Sequence, residues 1–560
     1  MKNFLDGLSR RFYSTLSLSL LWVTFTLCRI RPIYWEDVWW HLGVGQYILN
    51  HHRIPKIDVM SWTFHGAPWI NAEWLYELVL YGWVHWLGLT GVIALKIVLL
   101  LLALYFMDRR LRHWKASVFE RLLFLSLAFM GGWPFWVERA DLSSLALLSA
   151  LFCAIDAGDF GRHWWRTIGA PWVFIFALWP NIHGAFPLGL LAIGLWGCVC
   201  LFRRPASGRR VLSWTVLCAA ATLLNPYGIQ LWQGIFKNMG GHLEQVAEWL
   251  PPQGLGFSFF FFSLGLSVIS VLMDRKWTLE KTYGGVILVL FAGYALRHQR
   301  FVHFYMICAF PYAARQWLQD PIRWRLAESF RKWEAPVLAA CSLILFTTAI
   351  ASALRIRGGI DAADSGYVKG ACDFIEAEKI PGPFYNEYKF GSYWIWRFQG
   401  NPPVYQDGRS ASILGYDRFI DETLQAQRNP KSWNLWAARL GIQAALVRYP
   451  PASGGIGPAV FDRFFPRDVW GLVYWDDLSL IFVRRTNRYA SLLRQWECRA
   501  IKPDWTLETY LYQVRSGRLD RGAARKEIDR ALALNPDCWR ARVDLHWLDQ
   551  IDPQTGTSGG

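Results

Sequence analysis

The chain has 560 residues, of which 53% are hydrophobic and only 18% are charged. Soluble domains average about 25% charged residues, so this composition excludes a wholly soluble protein. The formal net charge of +16 does not indicate nucleic-acid binding, because the basic residues lie mostly in short loops between apolar runs, where they act as topology signals.

Eleven apolar runs predict membrane-spanning helices and a helical membrane domain over residues 1–354. A span needs about 20 apolar residues, although shorter spans occur. The runs are residues 12–28, 89–107, 119–136, 141–155, 168–180, 185–202, 211–225, 256–273, 282–296, 302–316 and 334–354. Lys and Arg are concentrated in the loops that a cytoplasmic N-terminus would place inside, in agreement with the positive-inside rule. Eleven spans place residues 355–560 in the periplasm and the chain in a bacterial inner membrane.

The first outer segment, residues 29–88, is long and rich in Trp, His and carboxylates. Residues 37–50 and 71–86 have the pattern of short amphipathic helices that lie along a membrane interface. Pro55 and Pro68 interrupt the stretch between them, and proline does not continue a helix. The sequence therefore predicts two interfacial helices at the outer face.

Residues 355–490 predict a small periplasmic α/β domain, because short β-like runs alternate with helical runs. The predicted strands are residues 383–388, 402–408, 444–450, 471–475 and 478–485. The predicted helices are residues 390–398, 417–440 and 458–465.

Residues 491–552 predict a helical end of the chain. Within it, residues 517–545 resemble a tetratricopeptide unit, with small residues where two helices meet and Pro at the turn, and a weaker helix over 504–515 precedes it. A single unit cannot bury its own face. It is therefore expected to pack on the α/β domain or on a partner protein. Residues 553–560 are expected to be disordered.

Ionisable side chains beside membrane spans are costly, so they are the first candidates for a functional site. The predicted topology brings one set of them to the outer face from separate loops. These residues are Glu36, Asp37, His41, Glu73, Glu77, Glu138, Asp141, Glu248, Arg297, His298 and Arg300. The inner loops hold no comparable mixture of acidic, basic and imidazole groups, so we predict the chemistry at the outer face.

The first outer segment also resembles that of a known family. EDVWWHLGVGQYILN (36–50) carries a D-x-W-W-H-L pattern, and IPKID, SWTF, PW and EWL follow it. Together with WPNIHGAF, LLNPYG and VYQDGRS further along, these motifs resemble a bacterial group within the GT-C superfamily of membrane glycosyltransferases. The resemblance covers most of residues 30–485. It implies a GT-C fold among membrane lipids and transfer of a sugar from a polyprenyl-phosphate donor to a glycan, lipid or protein acceptor, without a nucleotide.

In that superfamily a carboxylate at the outer end of the first span takes the proton from the acceptor hydroxyl. Asp37 matches this position, with Glu36 as its less favoured neighbour. Asp37 and His41 are four residues apart, so they share a helix face. Three roles stay open for Asp37: a base or acceptor-binding group, a helix cap, or a ligand of a divalent metal such as Mg or Mn together with His41 and Asp141.

The other acidic residues each have a functional and a structural interpretation. Glu73 and Glu77 share a helix face that would either line the cavity or face solvent. Glu138 and Asp141 would bind the acceptor or a metal, or else pair with Arg139 and cap the next helix.

Residues 297–300 form a basic outer turn. The planar fork of arginine binds phosphate in two places, so Arg297 and Arg300, with His298, are predicted to hold the lipid phosphate. The alternative is snorkelling towards lipid headgroups. Glu248 lies in a loop of about 30 residues, a length that suits a lid over the donor.

A different class of function stays open. The same scaffold, with its tetratricopeptide-like end, could be a non-catalytic subunit that docks partners in an envelope complex. Asp37→Asn distinguishes the two, because a scaffold keeps its function without a base. A transporter is disfavoured, because it would need polar groups at mid-span and repeated halves, and the sequence has neither.

Overall fold

The chain divides into two compact units. In the computed structural model the described residues are 2–33, 35–157, 169–240, 247–273, 278–319, 333–357, 367–409, 412–449, 463–503, 505 and 507–550. The first unit comprises Met1–Trp35 and Ala72–Ala362, and the second comprises Glu36–Asn71 and Ala363–Gly560. The first outer segment, which the sequence predicted to belong to the membrane domain, is therefore divided between the two units.

Each of the eleven predicted apolar runs overlaps an α-helix. The helices up to residue 357 are α1 (Lys2–Arg29), α2 (Asp37–His51), α3 (Trp74–Leu87), α4 (Thr90–His113), α5 (Val118–Gly131), α6 (Asp141–Ala157), α7 (Ala170–Leu178), α8 (Phe186–Arg203), α9 (Pro205–Ala221), α10 (Ile229–Gly240), α11 (Ser258–Met273), α12 (Leu279–Arg297), α13 (Val302–Phe304), α14 (Phe310–Gln319) and α15 (Glu334–Arg357). Short 3-10 turns occur at Trp133–Phe135, Trp179–Asn181, Ala247–Trp249, Leu255–Phe257 and Gln299–Phe301.

Three helices of the described chain are long and apolar enough to cross a membrane: Thr90–His113, Leu255–Leu272 and Ala335–Ile356. Phe186–Phe202 is apolar but shorter. The number of eleven spans stays a prediction, because the other helices are recognised by their apolar sequence and not by a full span length.

The first and last helices of the first unit pair with each other. The Ser17 hydroxyl donates to the Leu338 carbonyl at 3.1 Å and lies 2.7 Å from the Ser342 hydroxyl. Further along α1, the Thr24 hydroxyl donates to the Leu345 carbonyl at 3.0 Å. Such bonds from small hydroxyl side chains are typical of helices that pack closely in membranes. They bring the C-terminal ends of α1 and α15 together.

Polar side chains define the connection between α4 and α5. Ser117 and Glu120 form a capping box, in which each side chain accepts from the backbone N–H of the other at 3.3 and 2.7 Å. This arrangement satisfies N–H groups that the first turn of a helix leaves free. Arg121 donates from Nε and Nη2 to both oxygens of Asp108 at 2.7 and 2.8 Å, which ties α5 to the end of α4.

One π-helical turn, Tyr305–Ala309, joins α13 to α14. Pro311 has no N–H to donate to the carbonyl of Ile307. Arg110 supplies the missing donor, because its Nη1 lies 2.8 Å from the Cys308 oxygen and 3.5 Å from the Ile307 oxygen. Turns of this kind occur often beside functional sites, and this one follows the predicted site residues 297–300.

The second unit contains a four-stranded sheet of order β1-β2-β4-β3. Its strands are β1 (Phe384–Asn386), β2 (Ala444–Arg448), β3 (Trp470–Trp475) and β4 (Ser479–Arg484). β1 and β2 are parallel, and the other neighbours are antiparallel. The predicted strand 402–408 does not join this sheet: within the described residues Val404 forms a single bridge, to Ser61. Pro402 and Pro403 lack the N–H groups that a ladder requires.

The helices of the second unit after residue 363 surround this sheet. They are α16 (Lys369–Ala377), α17 (Tyr388–Phe398), α18 (Tyr416–Ala426), α19 (Pro430–Arg439), α20 (Ala490–Trp496), α21 (Leu507–Arg515), α22 (Arg521–Leu534) and α23 (Trp539–Gln550). The predicted helix 417–440 is two helices, because the Asn429 side chain caps a new start and Pro430 suits the first position of a helix. Most of the predicted helix 458–465 and the tail 553–560 lie outside the described residues.

Residues 36–71 pack against this sheet and its helices as part of the second unit. Helix α2 lies so close to α17 that a Cβ on Gly43 would be 2.8 Å from Ile395 Cγ2. Trp62 Nε1 donates to the Phe384 carbonyl at 2.9 Å, and Trp69 forms a bridge to Ile413. The globular half is therefore a discontinuous domain, completed by a segment some 300 residues earlier in the chain.

The helical end packs on the α/β domain, which is one of the two predicted alternatives. Tyr510, Ile528 and Leu548 are buried in one core with Trp470 and Phe482 of the sheet. Glu527 reinforces this contact by accepting from the backbone N–H groups of residues 499–501 at 2.7–3.1 Å. That it is a tetratricopeptide unit stays a prediction.

Candidate functional site

A polar cluster lies in the first unit around the turn between α5 and α6. The turn begins with the 3-10 segment Trp133–Phe135, where Pro134 fixes the backbone, and it ends where α6 starts at Asp141. Glu138 and Asp141 are only 3% and 5% exposed. Carboxylates are almost never buried to this degree without partners, so the partners of the cluster define the site.

Glu138 is paired with a lysine from the interior of a membrane helix. Lys96 Nζ donates to Glu138 Oε1, and both side chains are almost fully buried. Lys96 was not predicted as a site residue, because it lies inside the apolar run 89–107. A charge within a span that faces the helix bundle is itself a sign of function, and this was the signal that could have identified it.

Arg139 connects the same turn to the segment before α11. Its guanidinium donates to Glu248 Oε1, lies 3.9 Å from Asp141 Oδ2 and stacks on the Trp35 ring at 5.0 Å. Burial alone would raise the pKa of Glu248, but the charge and the hydrogen bond of Arg139 outweigh burial and lower it. Glu248 is therefore ionised at neutral pH. The region predicted as one long loop also contains helix α10.

Two histidines face two of the predicted carboxylates. His303 Nε2 lies 3.6 Å from Asp141 Oδ2, and His183 Nε2 lies 3.6 Å from Glu73 Oε1. The Ser144 hydroxyl lies 2.9 Å from His183 Nδ1. Burial is the main cause that lowers the pKa of His183 to about 3; the charge of Asp141 opposes this shift, and Arg300 and Arg139 add to it. His183 is therefore neutral at pH 7 and presents one donor and one acceptor.

The basic turn after α12 is held against the segment that carries Glu248. His298 Nδ1 lies 2.7 Å from the Trp249 carbonyl oxygen, and the Arg300 guanidinium lies 4.6 Å from the centroid of the Trp249 ring. Burial lowers the pKa of Arg300, and the neighbouring positive charge of Arg139 lowers it further. Arg297, at the end of α12, is exposed, and none of the described residues pairs with it.

Several polar atoms of this cluster are buried without a hydrogen-bond partner among the described residues. They are Glu138 Oε2, Asp141 Oδ1 and both ring nitrogens of His303. More than nine in ten buried polar groups in proteins are hydrogen-bonded. The cluster is therefore complete only with a polar ligand or with water.

Asp37 lies in the second unit, as the first residue of α2. Its Oδ1 accepts from Trp40 Nε1 at 3.3 Å, and a Cβ on Gly408 would lie only 2.6 Å from that oxygen. His41 is buried one turn later. Glu36 precedes the helix and makes no capping hydrogen bond with its side chain. Glycine at position 408 is what allows the backbone to approach the Asp37 carboxylate.

The carboxyl ends of the two parallel strands hold a second set of charges. Glu36 pairs with Lys389 at 3.2 Å, and burial raises the pKa of Glu36 despite this partner. Glu387 follows β1, and Arg448 ends β2. Burial raises the pKa of Glu387 to about 7, although Arg448 acts in the opposite direction.

Glu387 should make the stability of the second unit fall as the pH rises. Its folded pKa of about 7 exceeds the ordinary value of 4.5, so the folded state keeps a proton that the unfolded state loses between these two values. Glu387→Gln should remove this loss and stabilise the protein by about 3 kcal/mol at pH 8, since each pKa unit corresponds to about 1.4 kcal/mol, with little effect at pH 4. Thermal unfolding of the full-length protein at both pH values measures it. Equal differences at the two pH values would contradict the assignment.

A buried ion triad lies nearby in the second unit. Arg409 Nε and Nη2 donate to the two oxygens of Asp407 at 2.7 and 2.8 Å, and Nη1 donates to Asp58 Oδ1 at 2.9 Å. All three side chains are fully buried, and Arg409 stacks on Trp69 at 4.8 Å. The triad joins the first outer segment to the globular half.

The structure thus brings together most of the predicted site residues in two groups. The first unit holds Glu73, Glu138, Asp141, Glu248, His298 and Arg300, together with Glu77, which is fully buried in α3, and Arg297, which is exposed. The second unit holds Glu36, Asp37 and His41. The described residues contain no group of three or more His, Cys, Asp or Glu side chains placed to hold a metal, and the predicted metal ligands come from both units.

Comparison with known proteins bears on the fold. No family model matches the chain, and no curated protein matches it. An oligosaccharyltransferase of Archaeoglobus fulgidus in its apo form is similar, with a TM-score of 0.50 and 11% identity over 85% of this chain and 74% of that one. The A. fulgidus oligosaccharyltransferase AglB, in complex with an inhibitory peptide and a dolichol-phosphate, gives a TM-score of 0.51 and 10% identity over 93% and 86%.

A third solved structure, ArnT of Cupriavidus metallidurans bound to undecaprenyl phosphate, has a TM-score of 0.45 and 12% identity, over 86% of this chain and 98% of that one. No argument rests on this weaker likeness. The two archaeal structures show that the chain has a GT-C-like fold, mostly helical with a small mixed sheet.

Proposed function

We propose that this chain is a GT-C glycosyltransferase, which moves a sugar from a polyprenyl-phosphate donor to a glycan, lipid or protein acceptor. The proposed location is the outer face of a bacterial inner membrane, where nucleotide sugars are not supplied. The fold is compatible with this activity but does not specify it, because one fold hosts several functions. The polar cluster of the first unit carries the proposal.

The observation that carries most weight is the set of buried, unpaired polar atoms on Glu138, Asp141 and His303. Leaving such atoms without hydrogen bonds costs about 1–3 kcal/mol each, so a bound polar partner would be favoured. Carboxylate oxygens accept from sugar hydroxyls, and an imidazole both donates and accepts. A sugar bound here would supply the missing partners.

Arg300 is the group we assign to the donor phosphate. Arg139 is already bonded to Glu248, and Lys96 to Glu138. Arg300, by contrast, stacks on Trp249 and makes no ion pair with a described carboxylate. Within the part of the chain that the structure describes, no carboxylate occupies its N–H groups, so they can bind phosphate oxygens. Burial and the charge of Arg139 lower the pKa of Arg300, and a bound anion would offset that effect. The leaving phosphate carries negative charge that a guanidinium stabilises.

In the proposed reaction the bond between the sugar anomeric carbon and the phosphate oxygen breaks, and a bond to the acceptor oxygen forms. The acceptor hydroxyl gives its proton to a carboxylate, and polyprenyl phosphate leaves. By the resemblance of its first outer segment, Asp37 is the residue proposed to take this proton. Glu73 and Glu77 are proposed to contribute to substrate binding, and the helical end to offer a surface to a protein partner.

Arg300→Ala should weaken binding of undecaprenyl phosphate by the purified full-length protein on the order of 10- to 100-fold, because a hydrogen bond to a charged group contributes about 1.5–3 kcal/mol. Arg300→Lys should recover part of the affinity, since lysine keeps the charge but loses the planar fork. Binding is measured by titration of the detergent-solubilised protein with the lipid.

Arg297→Ala is the matched comparison, because Arg297 is three residues away and exposed. A large effect only at Arg300 assigns the phosphate to the cluster. Similar losses in both variants would support the two-arginine clamp predicted from the sequence. If neither variant changes the affinity, phosphate is bound elsewhere and the proposed donor site is wrong.

A further inference from the structure

Three arginines lie together at the C-terminal ends of α1 and α15. Arg29 is the last residue of α1, Arg31 follows it, and Arg355 is in the last turn of α15. The guanidinium carbons of Arg29 and Arg31 are both 4.7 Å from the centroid of the Trp133 ring. Arg355 Nη2 donates to the Ile30 carbonyl at 3.3 Å. The pairing of the two helices thus assembles a triple-arginine group, which we call the α1–α15 arginine site.

No described carboxylate forms an ion pair with any of the three. Glu138 is close enough to affect Arg29, but it is already bonded to Lys96. Arg29 is only 5% exposed, and its Nη2 donates to the Trp136 carbonyl. Among the residues that the structure describes, the Nε atoms of Arg29 and Arg31 are both buried without a hydrogen-bond partner. Two donors of one positive site are therefore unsatisfied.

This concentration of like charge is unfavourable in the free protein. Burial lowers the pKa of Arg31, and the charge of Arg355 lowers it further. Like charges held together disfavour the charged state, yet arginine stays protonated at any physiological pH. An anion bound between the guanidinium groups would remove both the repulsion and the unsatisfied donors.

The surroundings indicate where that anion comes from. Val23 on α1 and Ile350 and Leu354 on α15 are 47%, 44% and 60% exposed. These apolar side chains precede the arginines on the same two helices, so hydrocarbon chains of a membrane would contact them. A ligand that fits both features has a phosphate at one end and a hydrocarbon chain at the other.

We propose that Arg29, Arg31 and Arg355 bind the phosphate ester of a membrane lipid at the C-terminal ends of α1 and α15. Arginine is suited to this task because its fork meets two phosphate oxygens. The site uses other arginines than the one assigned to Arg300. It does not depend on the proposed transferase activity.

The test uses full-length protein in a neutral detergent. Dioleoylphosphatidylglycerol, undecaprenyl phosphate, zwitterionic phosphatidylcholine and inorganic phosphate are titrated separately, and the Tm and the affinity are measured. Wild type should bind and be stabilised by phosphatidylglycerol or undecaprenyl phosphate far more than by phosphatidylcholine. The two lipid arms distinguish a bulk phospholipid from an isoprenoid carrier.

Arg31→Ala/Arg355→Ala should lower that affinity tenfold or more and abolish the stabilisation by lipid. Without lipid its Tm should equal or exceed that of wild type, because the repulsion is relieved. A merely structural role for these arginines predicts a lower Tm in both conditions. Arg109→Ala, which removes an exposed arginine of α4, is the control and should keep the lipid response. Arg300→Ala should also keep the response to phosphatidylglycerol.

Unchanged affinity of the double variant for both lipids would overturn the proposal. So would equal binding of inorganic phosphate and lipid at the same concentration, which would indicate a site for soluble anions. A lipid-free Tm of the double variant well below that of wild type would show instead that the arginines serve only the fold.

Discussion

Arg409→Met is expected to lower the free energy of unfolding of the second unit by about 3–5 kcal/mol, the range measured when one partner of a buried ion pair is removed. Asp58 and Asp407 are fully buried on either side of Arg409. Without the guanidinium, two carboxylates remain in a dry interior. Such a loss is a large share of the total stability of a typical domain.

Asp58→Asn should cost less than Arg409→Met, because Arg409 keeps its two bonds to Asp407. Burial opposes ionisation of Asp58, but the charge of Arg409 and the bonds from Ser61 and Met60 outweigh it and lower the pKa of Asp58. Its contribution is therefore complete above the ordinary carboxyl pKa and is lost as the pH falls through the lowered value.

Arg418→Met is the control, since Arg418 is 88% exposed and pairs with Glu422 on one helix face. Pairs of this kind contribute about 0.3–0.5 kcal/mol. Thermal unfolding and limited proteolysis of the full-length protein, followed at cleavage sites after residue 363, report the order of the three variants. If Arg409→Met is no less stable than Arg418→Met, the triad does not hold the second unit together.

The helices and most of the strands could be predicted because their signals are local. An apolar run such as 334–354 is visible without its neighbours, and β2 and β4 show β-branched and apolar residues between turns. The prediction of a single helix over 417–440 was wrong, because the structure has two helices there. The signal for the division is also local, since a capping residue, Asn429, followed by Pro starts a new helix.

The sequence could not predict that residues 36–71 belong to the second unit, because their contacts are single ones between residues far apart in the chain. Ser61 pairs with Val404 through a single bridge, and no alternating pattern marks such a contact in either segment. Asp407 and Arg409 are two residues apart, so their ion pair is a local contact. Asp58, the third member, is 351 residues from Arg409 and gave no local sign.

The candidate cluster also combines residues that could be predicted from local sequence with features that could not. Glu138, Asp141 and Arg300 were predicted because charges beside spans are costly. The difference between Arg297 and Arg300 depends on where α12 ends and how the next turn packs on Trp249, which composition does not reveal. Lys96 was not predicted as a site residue, because its neighbours in the sequence are apolar.

Asp37→Asn is expected to reduce sugar transfer about 10²- to 10⁴-fold, the contribution of a general base, if Asp37 accepts the proton of the acceptor hydroxyl. Asparagine keeps the shape of the side chain and its contact with Trp40 but cannot take a proton. The assay follows release of polyprenyl phosphate from radiolabelled polyprenyl-phosphate sugars in membranes that contain the full-length chain, where native acceptors are present.

Glu36→Gln is the matched control, because Glu36 is adjacent, is 39% exposed and pairs with Lys389. It should retain most of the transfer activity.

Gly408→Ala gives a second, independent variant, since its Cβ would meet Asp37 Oδ1 at 2.6 Å and displace the carboxylate. Misplacement of a reacting group by about 1 Å costs on the order of 100-fold, so this variant should also be impaired while its Tm stays close to that of wild type. Full transfer by Asp37→Asn would exclude Asp37 as the base, and loss of partner binding rather than of transfer in Gly408→Ala would favour the scaffold function.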